Sequence, residues 1–146
     1  MTERQATANW EGDLMSGMGD VSTGTGVLAN QPLTWASRTE DPEGRTSPEE
    51  LIAAAHAGCY AMALSNTLAT DGHPPKSLSV TAKVGFGPKP GGGMKVTYSR
   101  LSVRGKVPGL DQAGFEEEAK KGEQGCPVSN ALRNNVEISL EASLEQ

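Results

Sequence analysis

Large side chains are scarce in this sequence. Only 4% of its 146 residues are aromatic, so a single subunit has a thin core. Burial against a second copy, most often as a twofold dimer, is expected to add what one chain lacks. Long apolar runs are missing too. The longest uninterrupted aliphatic stretch, Leu51 to Ala55, is far short of a membrane span. The first twenty residues hold no apolar stretch of the secretory kind. The expectation is a soluble chain that stays in the cytoplasm, without a membrane partner. Positive charge is in deficit: 13 basic against 18 acidic side chains leave a net charge of −5, and no basic run exceeds Lys120-Lys121. A nucleic-acid partner, which needs a basic face, is thereby excluded. Cysteine is limited to Cys59 and Cys126, 67 residues apart, too few for a disulfide scaffold of the secreted type. In a reducing compartment they are either two inert buried thiols or a redox pair. His56 and His73 are the only histidines, and no Cys or His pair has zinc-ligand spacing. Neither a metal nor a cofactor is expected.

What is present reads as one domain over residues 1–146. Residues 6–10 and 15–23 read as strands joined through Glu11-Gly12-Asp13, with a third strand near 33–37 and a loop from Arg38 to Ser47. Ser47-Pro48-Glu49-Glu50 has the form of a capping box with proline at the first helical position. It predicts a helix to about Thr70, with Gly72 as its terminator. This helix is apolar on nearly every side from Ile52 to Leu64, which predicts cover all round. Leu78, Val80, Ala82, Val84 and Phe86 alternate with polar or small residues as a half-buried strand. Apolar parity then flips between Tyr98 and Leu101, which predicts a bulge near Ser99-Arg100. Asp111 caps a predicted helix from Gln112 to Lys121, stopped by Gly122. Gly125-Cys126-Pro127 opens another helix, and residues 136–144 alternate as a final strand. The order implies an α+β fold with mainly antiparallel pairing.

Cys126, immediately before Pro127, falls at a helix N-terminus, where the dipole and unpaired amides favour a thiolate. Cys59 is mid-helix, and burial there raises a thiol pKa. As a nucleophile it needs an imported positive charge, with Arg38, Arg45 and His56 as candidates. A lone histidine in an alanine-rich helix is more often a hydrogen-bonded core residue than a catalytic base.

Two motifs carry a resemblance. Thr46-Ser47-Pro48-Glu49-Glu50-Leu51 followed by Ala54-Ala55-His56-Ala57-Gly58-Cys59 resembles the central-helix motif of the OsmC/Ohr organic hydroperoxide reductases. Gly125-Cys126-Pro127-Val128-Ser129 is similar to their second cysteine motif. The segments Trp10-Glu11-Gly12-Asp13 and Val21-Ser22-Thr23 resemble the OsmC branch. The resemblance implies an intertwined homodimer with strongly curved sheets around a long central helix and two active sites at the subunit interface. It also implies Cys59 as peroxidatic cysteine, Cys126 as resolving cysteine, and an Arg38–Glu49 pair that activates Cys59, with Arg45 as the alternative arginine. Glu49 and Cys59 are about 15 Å apart along one helix, so the pair acting on a given Cys59 is expected from the other subunit.

The activity so implied is reduction of organic hydroperoxides through a Cys59 sulfenic acid and a Cys59–Cys126 disulfide. An external dithiol, of lipoyl type in the family, then reduces the pair. Apolar residues among Met62, Tyr60, Phe115 and Leu51 are expected to favour organic substrates, with Leu51 and Phe115 assigned to the core. Two other readings stand beside it: a non-enzymatic dimeric module binding an apolar ligand, and a cysteine hydrolase using Cys59 and His56.

Overall fold

The computed structural model describes residues 1–145, and they gather into two compact units, residues 1–51 and residues 52 onward. The first unit is a meander. Strand β1 (Ala6–Glu11) pairs antiparallel with β2 (Met18–Thr23), and β2 with β3 (Gln31–Leu33). The glycines that interrupt the second strand make room for an indole. Gly19 lies opposite Trp10, and a Cβ there would stand 2.7 Å from Trp10 Cε3. The strand starts at Met18 rather than residue 15 because Asp13 organises a turn before it. The Asp13 carboxylate accepts from both the amide and the hydroxyl of Ser16, each at 2.8 Å. The third predicted strand stops at Leu33, and helix α1 (Trp35–Thr39) follows. Thr34 caps it through a reciprocal box with Ser37: the Ser37 amide donates to Thr34 Oγ1 at 3.0 Å and the Thr34 amide to Ser37 Oγ at 3.2 Å. Arg38 is therefore helical, in the last turn of α1, and not in a loop.

Helix α2 (Pro48–Thr70) has the predicted extent. The Glu50 amide donates to Ser47 Oγ at 3.1 Å, while the Glu50 carboxylate accepts from the Thr46 hydroxyl instead of the Ser47 amide. At the other end Gly72 takes a φ of +88°, and the His73 amide reaches the Leu68 carbonyl at 2.8 Å, the six-to-one bond of a Schellman ending. Within the second unit, His56, Tyr60, Leu64 and Leu68, four residues apart in turn, are fully buried. Ala54, Ala55, Gly58 and Met62 on the other side are exposed. The second unit's own elements thus bury one face of this helix, and the expected cover of its other face is left to a partner subunit.

Strands β4 (Ser77–Pro88) and β5 (Met94–Lys106) form a long antiparallel pair. The predicted bulge exists, two residues earlier than expected. Val84 pairs with Ser99 but Phe86 with Val96, so Thr97 and Tyr98 stand opposite Gly85 alone. Gly85 must lack a side chain, since a Cβ would fall 2.3 Å from the Tyr98 ring. Beyond the bulge Ser99, Leu101 and Val103 face inward. Helices α3 (Gln112–Gln124) and α4 (Pro127–Leu132) carry the chain across to β6 (Glu137–Leu144), which pairs parallel to β5, the arrangement a crossover connection permits. Asp111 caps α3 as predicted, accepting from the Gly114 amide at 2.8 Å. Gly122 does not end the helix. It lies inside α3, where a Cβ would come within 3.0 Å of Leu64 Cα, so this glycine serves close packing on α2. The second unit's core joins Tyr60, Leu64 and Leu68 to Leu101, Val103, Val107, Phe115, Ala119 and Cys126. The chain is α+β with mainly antiparallel sheets. Among the described residues no helix is long and apolar enough to cross a membrane.

Candidate functional site

Cys126 is the N-cap of α4, and its sulfur accepts from the Ser129 amide at 3.4 Å. It is fully buried, whereas Cys59 on α2 is partly exposed; both are free thiols. The first turn of α4 also lies against the other cysteine: Cys59 packs on the core cluster that contains Cys126, and the Val128 amide and the Cys126 thiol are near enough to shift the Cys59 thiol. Burial pushes the Cys59 thiol above its ordinary pKa, the Val128 amide pulls it down, and the Cys126 thiol pushes it up again. Two thiols side by side, one of them reachable from solvent, are placed for disulfide exchange.

His56 is the core residue its surroundings in sequence imply. Its Nδ1 bonds Ser99 Oγ at 2.6 Å and its Nε2 bonds Ser129 Oγ at 2.7 Å, and all three residues are fully buried. Burial lowers its pKa, with the Glu123 charge opposing. Both ring nitrogens are engaged by serines, so His56 is not free to act as a base toward a nucleophile. Tyr60, expected above to favour organic substrates, is core as well: its hydroxyl donates to the Ala119 carbonyl at 2.8 Å, and burial raises its pKa. Phe115 is core as expected, and Met62 is exposed.

In the first unit Arg38 grips Glu49. The guanidinium Nε reaches both carboxylate oxygens at 3.2 and 3.1 Å, and Nη2 reaches Oε1 at 2.8 Å. The carboxylate is almost wholly buried and the arginine about a quarter exposed. The fork geometry fixes the direction of the guanidinium plane. Arg45, the alternative arginine, pairs with Glu43 at 3.5 Å instead. Arg38 also lies 5.9 Å from the centre of the Trp35 ring. It forms one wall of a pocket of about 330 Å³ whose other walls are Trp10, Leu14, Leu33, Thr34, Trp35 and Pro48. The sequence reading did not find this pocket. Its signal was faint: both tryptophans of an aromatic-poor chain, each within a few residues of a capped turn.

The match to the family of OsmC-like proteins covers residues 40–141, more than half of the chain. The chain belongs to that family. This OsmC-like chain is 42% identical over 142 residues to peroxiredoxin OsmC of Escherichia coli K12, covering 97% of itself and 96% of that protein. It is 38% identical over 96 residues to the organic hydroperoxide resistance protein of Xanthomonas axonopodis pv. citri, covering 65% of each. The near end-to-end match to the first agrees with the resemblance of the amino-terminal segments to the OsmC branch. Among solved structures, an organic hydroperoxide resistance protein from Elizabethkingia anophelis superposes with a TM-score of 0.79 at 28% identity, over 99% of this chain and 98% of that one. The protein OhrB of Bacillus subtilis superposes with a TM-score of 0.75 at 25% identity, over 95% and 98%.

Proposed function

We propose that this OsmC-like protein is a two-cysteine peroxidase that reduces organic hydroperoxides to alcohols. The observation that carries the reading is the pair of free thiols, one buried and one reachable, held together at the first turn of α4. Cys59, as thiolate, attacks the distal peroxide oxygen; the O–O bond breaks and the alcohol leaves with a proton. The resulting sulfenic acid condenses with the Cys126 thiol, forming the S–S bond and releasing water. An external dithiol then reduces the disulfide by exchange and is itself oxidised. The names of the relatives, peroxiredoxin and organic hydroperoxide resistance protein, support the substrate class.

Burial opposes the Cys59 thiolate, so the reaction needs a cation. Arg38, oriented by Glu49, is our assignment, favoured over Arg45 by the bidentate geometry. Glu49 and Cys59 are ten residues apart on α2, about 15 Å of helical rise. We therefore assign the pair that serves a given Cys59 to a second copy of the chain. The exposed face of α2 and the exposed Leu14, Met15, Met18 and Val27 around the first meander support a homodimer that covers them. The apolar pocket beside Arg38 suits the alkyl part of an organic hydroperoxide.

The test is titration of free thiols with intact mass before and after one equivalent of an alkyl hydroperoxide. Loss of both thiols with a monomer lighter by about two mass units is the expected result. Two titratable thiols under peroxide excess would sink the peroxidase and favour the binding module.

A further inference from the structure

His56 sits three residues before Cys59 on α2, and Ser129 three residues after Cys126 on α4. The two helices are thus joined by two adjacent rungs. One is the pair of thiols; the other is the hydrogen bond from His56 Nε2 to Ser129 Oγ, 2.7 Å long and completely buried. On its far side His56 Nδ1 bonds Ser99 Oγ at 2.6 Å, and Ser99 faces inward because the bulge at Thr97-Tyr98 has turned β5 over. A three-element clamp results, running from β5 through α2 to α4. Ser129 in turn donates its own amide to the Cys126 sulfur at 3.4 Å, so the clamp reaches the resolving thiol through a single residue.

Resting on the two-cysteine reading above, we propose that His56 is a positioning residue for the resolution step: through Ser129 it holds the first turn of α4 so that Cys126 can attack the Cys59 sulfenic acid. Helix α4 is only six residues long, and too short to hold itself in place. A disulfide forms only over a narrow range of sulfur and Cβ positions, and small displacements of a reacting group cost large factors in rate. A neutral imidazole suits the task, since it offers one donor and one acceptor to two hydroxyls, and burial keeps this one neutral. The chemistry at stake balances simply. In resolution the sulfenic S–O bond breaks, the S–S bond forms, and water carries off the Cys126 proton. When resolution is slow, a second hydroperoxide oxidises the sulfenic acid to sulfinic acid and leaves as alcohol.

The test separates the two steps in pre-reduced protein given tert-butyl hydroperoxide, quenched by alkylation at intervals and read by intact mass. His56→Gln places its amide where Nε2 was and can keep the Ser129 bond; His56→Asn places it at Nδ1 and cannot. We expect both variants to lose the Cys59 thiol at the wild-type rate. His56→Asn and Ser129→Ala should form the disulfide about tenfold more slowly or worse and accumulate a species heavier by about 32 mass units, the sulfinic acid. His56→Gln should recover much of the rate. Ser129→Ala, which leaves the histidine in place, decides the matter if the His56 variants do not fold. Wild-type disulfide formation in Ser129→Ala, or equal slowing of both steps in Asn and Gln variants alike, overturns the proposal. Failure of the wild-type protein to lose its thiols would be a failure of the peroxidase reading instead.

Discussion

At the scale of single residues, charge and burial pull against each other. Cys59 is held toward its thiol form by burial and by Cys126, yet only the thiolate attacks a peroxide. The thiol-loss rate should therefore climb with pH through the Cys59 pKa and then level off. A guanidinium within reach favours the thiolate. Arg38→Ala is expected to slow thiol loss about tenfold or more at neutral pH, and to move the rise to higher pH. Stopped-flow rates against pH check both, and an unmoved profile would remove Arg38 from the mechanism. Glu49→Gln should act in the same direction, by freeing the guanidinium from its fork. His56 titrates the other way. Burial depresses its pKa in the folded chain, against the partial opposition of Glu123, which is itself paired with Arg133 at 2.9 Å. The unfolded chain therefore binds a proton that the folded chain does not as pH falls through about 6.5. The stability that neutral His56 allows is full above that pH and declines below it, by up to about 1.4 kcal/mol per pH unit. Urea midpoints between pH 7.5 and 5.5 should fall for the wild type and fall less for His56→Gln.

At the scale of elements, glycine decides two packings that composition alone leaves open. Alanine is ordinarily the better helix residue by roughly 1 kcal/mol. Gly122 in α3 is an exception, because its Cβ would press on Leu64 Cα at 3.0 Å and on Leu64 Cδ1 at 3.1 Å, and Leu64 is fully buried. Gly122→Ala should destabilise by about 1–3 kcal/mol, as overpacking does, visible as a lower denaturation midpoint. A midpoint equal to or above wild type would show that α3 moves away freely. The sequence showed this glycine but could not reveal its role: a helix end and a close helix contact both select glycine. The same ambiguity hid α1. Thr34 and Ser37 form a capping box whose third-position partner is serine rather than glutamate, so a short helix read as the end of a strand, and Arg38 as a loop residue.

At the scale of the whole molecule, apolar surface remains to be covered. Met62 is 71% exposed on the alanine- and glycine-rich face of α2, and Gly58 on that face has nothing near its missing side chain. Small residues exposed in a row admit a close backbone neighbour, as a second copy would supply. Sedimentation of the wild type should give twice the chain mass, and Met62→Glu, which puts a charge into that contact, should give the monomer and lower peroxidase activity. A wild-type monomer with full activity would end the assignment of Arg38–Glu49 to a second copy.

Local chemistry was enough to fix the ends of α2, the caps at Asp111 and Cys126, the alternating strands and the existence of a bulge, because each depends on residues a few positions apart. The two cysteine motifs, and the arginine–glutamate pair that goes with them, were likewise legible as a resemblance. Only the tertiary structure decided that Glu49 grips Arg38 and not Arg45, that Tyr60 belongs to the core, and that Ser99, His56 and Ser129 meet. Those three stand 43 and 73 residues apart in sequence, and the bulge at Thr97-Tyr98 that turns Ser99 inward does not say which buried group Ser99 will meet. A side chain's partner across the fold is set by register and packing, which no local pattern records.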